Sequence, residues 1–522
     1  MASSWTNFVS RCKSRSSAIA RSCFLARQRW CEKYKEAKEL LDASQAEVAA
    51  LQTGHERLEA EIANLRELIA ELETDMAQPR SVEWPLGEVP PGQQFGAGMI
   101  TLCVNLAREI GLRPVERVLR IVSEWMMVEV RIPTYQAIRG WMQRIGLDRM
   151  QNAKKKSNGI WITDHTNQIG KEKVLMVLRV RGSGLPRPGV PLRHRDVEVL
   201  MLTPGTEWKR ENVAEVYREA EARFGLPRAV ETDGAVELRE PAETLGKPGA
   251  KPIVIRDPKH FLANRLEALL TKDPEYQAFA QKLGWARSAL QQTELAHFIP
   301  PGIKPKSRFM NLAPTLKWAT TMLWHLEHSE SQSRKGIADS RMEEKMGWLR
   351  GFAASIQTWQ ECQQVISVSL TFLNQQGIFQ GATERLQTLL AAIPASPSSR
   401  KFVAEIVGFT REHENKLRPQ ERLPMSTEII ESSFSRYKHF EKQHSKNGFS
   451  SLLLTFPTLL KKTTPKEVKA SFARVRIADV KTWTQTYMPN SLASKRQLVF
   501  REPSTTNKRK TKNRATPLLA AA

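Results

Sequence analysis

Between residues 159 and 257 the chain leaves helical periodicity for a series of short apolar runs, and acidic residues stand inside or at the ends of those runs. GIWITDHT, KVLMVLRVRG and DVEVLMLTP are three consecutive strand patterns joined by polar or Gly/Pro-containing links. KRENVAEVYREAEARFG reads as a helix closed by Gly225. RAVETDGAV and KPIVIRD are a fourth and a fifth strand, and the fifth runs straight into the helix PKHFLANRLEALL. Three sequential strands followed by alternating helix and strand predict an α/β core, and such sheets place ligands at their strand ends.

Two of the acids belong to those strands. Asp164 lies within an apolar run that a fold would bury, and an unpaired buried carboxylate is costly. Asp233 precedes Gly234, a strand-to-turn signature that presents the carboxylate at the sheet rim. A third acid, Glu431, sits in TEIIESSFSRYK on a helical pattern. Glu428 competes with it one turn earlier, but only Glu431 has a lysine, Lys438, two helical turns along the same face. Each acid alone also admits a plain reading: an edge-strand Asp, a routine turn Asp, a surface ion-pair Glu. Asp257 and His260 form D-x-x-H where the fifth strand ends. Zinc needs more ligands than that pair, so His260 is expected to touch a substrate or order the site. Together, Asp164, Asp233 and Glu431 could hold two divalent cations about 4 Å apart, the arrangement that drives in-line attack on a phosphodiester. Serine and cysteine nucleophiles are excluded: no GxSxG elbow is present, and Cys103 and Cys362 sit in helical apolar patterns.

The charge balance points to the same class of partner. The 522 residues carry a net charge of +24, which favours a polyanion such as nucleic acid. Five cysteines make no disulfide framework, and Cys12, Cys23 and Cys31 match no zinc-ligand spacing. No apolar run approaches the roughly 20 residues that span a bilayer, and the basic N-terminus lacks the apolar segment of a signal peptide. A soluble protein of the cytoplasm or nucleoid is expected. In a eukaryotic host NKRKTKNR (507–514) would serve as a nuclear signal; it equally suits a flexible arm on phosphates.

Length predicts several domains. After a basic segment (1–40), residues 41–78 carry a regular heptad with Leu41, Val48, His55, Ile62, Ile69 and Met76 at one core position and Ser44, Leu51, Leu58, Leu65 and Leu72 at the other. That pattern predicts a parallel two-stranded coiled coil; the alternative is one amphipathic helix folded on its own chain. A Pro/Gly-rich linker (79–96) leads to three short helices within 97–150, which fit a helix-turn-helix DNA-binding unit. In the third helix Tyr135, Gln136, Arg139 and Arg144 are the polar residues placed to read a groove, while Ile138 and Trp141 are core. Lys154, Lys155 and Lys156 form a basic hinge expected to contact DNA. The α/β core begins at 159–272, an all-helical insertion occupies 273–420, and a last core helix spans 421–447. A C-terminal extension with a basic tail fills 448–522. Core packing is expected for Trp285, Trp318, Trp324, Trp348 and Trp359 of the insertion.

The ordered set Asp164, Asp233, Asp257-x-x-His260, a helical insertion, then Glu431 with Lys438 resembles the DDE transposases of the hAT, Mutator-like and related bacterial insertion-sequence types. The resemblance covers roughly 159–445, with motifs specific in combination and weak singly. It implies an RNase H-like core, Mg2+ dependence with Mn2+ as a substitute, and terminal inverted-repeat and target double-stranded DNA as substrates. It also implies action as a homodimer or larger assembly. Under it Asp164, Asp233 and Glu431 are the metal ligands, and Lys438 steadies the terminal nucleotides. Two rivals remain: a non-catalytic, domesticated DNA-binding protein, and an RNase H-like structure-specific nuclease that cuts without joining.

Overall fold

The computed structural model describes residues 87–501 apart from 127–130, 168–171, 183, 303–311, 394–395, 445–448 and 490–494, together with scattered positions between Asn7 and Ala70. The chain divides into two compact units, Met1–Glu83 and Trp84–Ala522. In the first, the described positions are helical, and Val48, Leu58, Ile62, Leu65 and Ile69 of the heptad are exposed. The heptad residues Leu41, Leu51, Leu72 and Met76, the N-terminal cysteines and the basic tail lie outside the described residues.

The second unit opens with three helices, α1 (Ala97–Ile110), α2 (Leu112–Met126) and α3 (Tyr135–Gln151). The five expected strands follow: β1 (Ile160–Asn167), β2 (Lys173–Val180), β3 (Val197–Gly205), β4 (Ala229–Thr232) and β5 (Ile253–Arg256). They form one mixed sheet of order β3-β2-β1-β4-β5, with β1, β2 and β3 antiparallel and β1, β4 and β5 parallel. Helices α4 (Arg210–Phe224) and α5 (Val236–Glu243) cover one face, burying Trp161, Leu175 and Val177 against Val213, Tyr217 and Leu238. Strand alternation turns Ile160, Ile162, Val174 and Met176 to the other face, into the main core.

Helix α6 (Pro258–Leu270) leaves β5 directly and starts a helical region: α7 (Pro274–Leu290), α8 (Leu312–Glu327), α9 (Asp339–Met346), α10 (Ala353–Gln376), α11 (Ala382–Leu390) and α12 (Pro397–Glu414). The region is not wholly helical. Ile378–Phe379 (β6) pairs with Arg422–Leu423 (β7), a contact too short for a periodicity to reveal. Trp318 and Trp359 are core, with ring nitrogens bonded to Phe298 O and Asp273 Oδ2. Trp285 and Trp324 are 53% and 47% exposed, against the expectation of packing. Helix α13 (Glu428–Lys442) returns the chain to β1.

Within the C-terminal extension, the described residues Ser451–Tyr487 are packed. A 3₁₀ turn (Ser451–Thr455) and helices α14 (Phe456–Leu460), α15 (Pro465–Arg474) and α16 (Ile477–Tyr487) pack on α1 and α3, burying Leu453, Phe456, Leu459, Val468 and Phe472. Gly146 is not a helix stop but a close approach: a Cβ there would stand 1.8 Å from the Leu454 carbonyl oxygen. Helix α3 is therefore a central strut and not an exposed reading helix. Arg144, expected to reach a groove, is buried; it donates to Val475 O (2.9 Å) and Phe472 O (3.1 Å) and lies 3.9 Å over the Phe472 ring. Four residues on, Asp148 takes a bidentate pair from Arg474, both bonds 2.7 Å. Among the described residues no helix is long and apolar enough to cross a membrane.

Arg144 thus ties the C-terminal helices to α3. Arg144→Met is expected to lower the unfolding free energy by about 2–3 kcal/mol, because two buried carbonyls lose a charged donor. Urea unfolding measures this, and DNA affinity at folding-permissive temperature should stay unchanged. Weakened DNA binding with unchanged stability would restore the groove-reading role.

Candidate active site

The parallel register sets the site. Ile162 of β1 pairs with Glu231 of β4. Two residues further along, Asp164 still belongs to β1, while Asp233 stands one residue past the end of β4, at the start of its turn. Asp233 is fixed by its turn: its Oδ1 accepts the Ala235 amide at 2.8 Å, and Gly234 takes φ +91°, which a side chain would oppose. Beneath the pair, the Tyr217 hydroxyl shares a 2.7 Å hydrogen bond with Thr163, and burial together with the charges of Asp233 and Asp164 raises its pKa.

Glu431 reaches this rim through Asp257. That carboxylate is buried and caps two helices whose starts are 170 residues apart. Its Oδ1 accepts the amides of Lys259 (2.6 Å) and His260 (3.2 Å) at the start of α6. Its Oδ2 accepts the Thr427 amide (2.8 Å) and hydroxyl at the start of α13. Burial alone would raise Asp257, but bonds from His260 and Thr427 hold it below the usual carboxylate value. With the two helix starts clamped together, Glu431 faces the head of α6: Lys259 Nζ donates to its Oε2 at 2.9 Å, and His260 Nε2 lies 3.9 Å from Oε1.

Electrostatics bind the residues into one site. Burial, then the negative charge of Asp233, push the Asp164 carboxyl up to about 7; Glu431 adds to the rise, while the His165 amide and His260 oppose it. Burial works against a charged His260, yet Asp257, Asp233 and Glu431 raise it above the ordinary histidine value. Lys438 is half-buried and lowered by that burial, with Glu441 and Asp164 as the opposing charges. Asp164, Asp233, Glu431, His260 and Lys438 therefore share a field. Glu428, the competitor, accepts from Asn374 at 2.8 Å and also lies 3.8 Å from Lys259 Nζ. Sequence reasoning missed Lys259, and it missed His165, whose ring lies 3.7 Å from both Asp164 and Glu237. A lysine beside a D-x-x-H signal was there to be read, but nothing local pairs it with Glu431.

The proposed groove readers stand elsewhere. Tyr135 lies under Arg113 at 5.3 Å, Gln136 donates to its hydroxyl at 3.3 Å, and Arg139 donates to Ser451 Oγ at 2.7 Å. Lys154, Lys155 and Lys156 are exposed, with Lys155 bonded to Ala222 O. Burial raises the Cys103 thiol to about 12 and Cys362 to about 11, which removes both as nucleophiles.

Oxygen-only donors and a carboxyl lifted by neighbouring anions are the chemistry a hard divalent cation relieves. As the chain stands, among the described residues no three His, Cys, Asp or Glu side chains are gathered in metal-holding geometry. The obstacle is visible: Glu431 is turned onto Lys259. The donor types fit a divalent cation, and Glu431 must leave Lys259 to complete the set.

No family description and no curated protein matches this sequence. Among solved structures, the chain is similar to the Drosophila P element transposase strand transfer complex, with 10% identity, a TM-score of 0.38, and coverage of 79% of this chain and 98% of that one. A likeness of that size leaves the functional reading to the site itself.

The Asp164 carboxyl has its folded value above its unfolded value, so the folded chain retains a proton that the unfolded chain releases. Its contribution is full below about pH 4 and is lost as pH rises through 7. In EDTA, Asp164→Asn should melt with wild type at pH 4 and above it at pH 8, by an equivalent of roughly 2–4 kcal/mol; identical melting at both pH values would refute the shift. Lys259→Met should tighten Mn2+ binding, read as free Mn2+ by electron paramagnetic resonance. Weaker binding would show that Lys259 holds Glu431 in its ligating pose.

Proposed function

We propose that this chain is a DNA transposase of the DDE type, cutting phosphodiester bonds at transposon ends and joining the freed 3′ ends to target DNA. One observation supports the reading: Asp164 on β1 feels the charges of Asp233, one residue past the parallel strand β4, and of Glu431 on the helix that the Asp257 clamp ties to α6. The strand order β3-β2-β1-β4-β5, with its first three strands antiparallel, suits an RNase H-like core, and the helical region between α6 and α13 suits the insertion such enzymes carry. The net charge of +24 suits a DNA substrate.

In this reading Asp164 and Asp233 hold Mg2+ from the strand ends and Glu431 completes the set from α13. Bound there, divalent cations would lower the pKa of an attacking water and stabilise charge on the leaving 3′ oxygen. The chain's own groups do the rest. Lys438 offers an ammonium to a non-bridging phosphate oxygen beside Asp164. His260, held by Asp257, sets the orientation of Glu431 and replaces Lys259 as its nearest cationic neighbour once Lys259 swings away. In the second step the freed 3′-OH bonds to a target phosphorus, and the target's own 3′ oxygen leaves. The exposed heptad positions Val48, Leu58, Ile62, Leu65 and Ile69 suit a homodimer or larger assembly through a coiled coil.

The test uses purified full-length protein, Mg2+ and a duplex carrying the terminal repeats that flank its gene. Wild type is expected to nick at the repeat ends and to join pre-cut ends to a plasmid. Asp233→Asn should abolish both. Equal nicking by the two proteins would rule the mechanism out, and nicking without joining would leave a nuclease.

A further inference from the structure

Away from the acidic rim, a cleft of about 510 Å³ opens where the end of α3, the β2 and β3 strands and the α14–α15 connection meet. Seven basic and three acidic side chains line it, a surplus of four positive charges. The pairings show where the surplus lies. Arg149 and Arg474 each have a carboxylate of their own, Glu467 and Asp148. Arg179 and Arg181 share one, Glu198, at 2.7 and 3.5 Å. Lys154, Lys156 and Lys461 are exposed and carry no described ion pair.

Arg179 makes this a built site and not a chance run of surface lysines. It is 2% exposed, and its Nη1 is buried without a hydrogen-bond acceptor. A buried guanidinium donor left unmet costs free energy that a second anion recovers. Gly159 keeps the space for it, since a Cβ there would stand 3.0 Å from Arg179 Cδ. Arg179 pairs with Trp161, three residues before Asp164 on β1, so by strand alternation its side chain leaves the sheet on the face opposite Asp164.

We propose that this cleft is a phosphate-binding site that grips the DNA backbone, with Arg179 as its floor and Lys154, Lys156 and Lys461 as its rim. The proposal rests on the reading of the chain as a DNA-acting protein. It adds a sequence-independent contact surface distinct from the carboxylates.

Binding of a labelled duplex is measured by fluorescence anisotropy in EDTA across a KCl series, so that no cleavage intervenes. The variant is the triple Lys154→Ala, Lys156→Ala, Lys461→Ala in the full chain; the control is Lys247→Ala, Lys251→Ala, Lys282→Ala, an equal charge loss outside the cleft. The cleft triple should flatten the slope of log K against log salt by about 2–3, at roughly 0.9 per lost phosphate contact, equally for two unrelated duplex sequences. Arg179→Met, checked for folding by circular dichroism, should flatten it further. An unchanged slope in the cleft triple, or an equal change in the control, overturns the site while leaving the catalytic reading intact. Wild type that binds no DNA overturns both. Calorimetry with inorganic pyrophosphate separates the remaining source: pyrophosphate binding lost in the triple, with DNA binding unchanged, assigns the cleft to a small phosphate ligand and overturns the DNA proposal.

Discussion

The site depends on one buried carboxylate. Asp257 caps α6 with one oxygen and α13 with the other, and so closes a loop of 170 residues onto the sheet edge. Without it, two helix starts would each leave amide groups unmet, and Glu431 would have no fixed relation to Asp164. The clamp is strong because every lone pair it offers inward is used. A carboxylate this buried stays charged only because Thr427 and His260 surround it with donors.

The clamp also explains why the acids are held unevenly. Asp164 and Asp233 are placed by the strand register, which is rigid. Glu431 is placed by a helix start, and its charge is met by Lys259. Asp164 is raised to about 7 by burial and by Asp233 beside it, and His260 only partly offsets that rise. A site with two fixed anions and one loosely paired third is poised to take up positive charge. Lys259 is the present counter-charge of Glu431.

Much of the architecture was legible from pattern. The strands around Trp161, Val177, Leu200, Val230 and Val254 announce themselves because each is an apolar run bounded by turn residues, and burial on both sheet faces demands such runs. Gly225 ends its helix as expected, with φ +88°. Arg144 misled because an arginine on a helix normally faces water. Only the carbonyls of Phe472 and Val475, more than three hundred residues away, give it a reason to be buried. Ser451–Tyr487 looked like a tail because its apolar residues fall in short helices with no long period to detect.

The sequence by itself determined the strand set and its order along the chain, since these follow from hydrophobic period and local turn chemistry. It could not determine which distant charges meet. The Lys259–Glu431 pair, the double cap at Asp257 and the shared carboxylate of Arg179 and Arg181 exist only once the helical region folds back and the C-terminal helices seat on α3. Charge pairing acts through space over a few ångströms, and a linear pattern holds no record of distances between residues hundreds of positions apart.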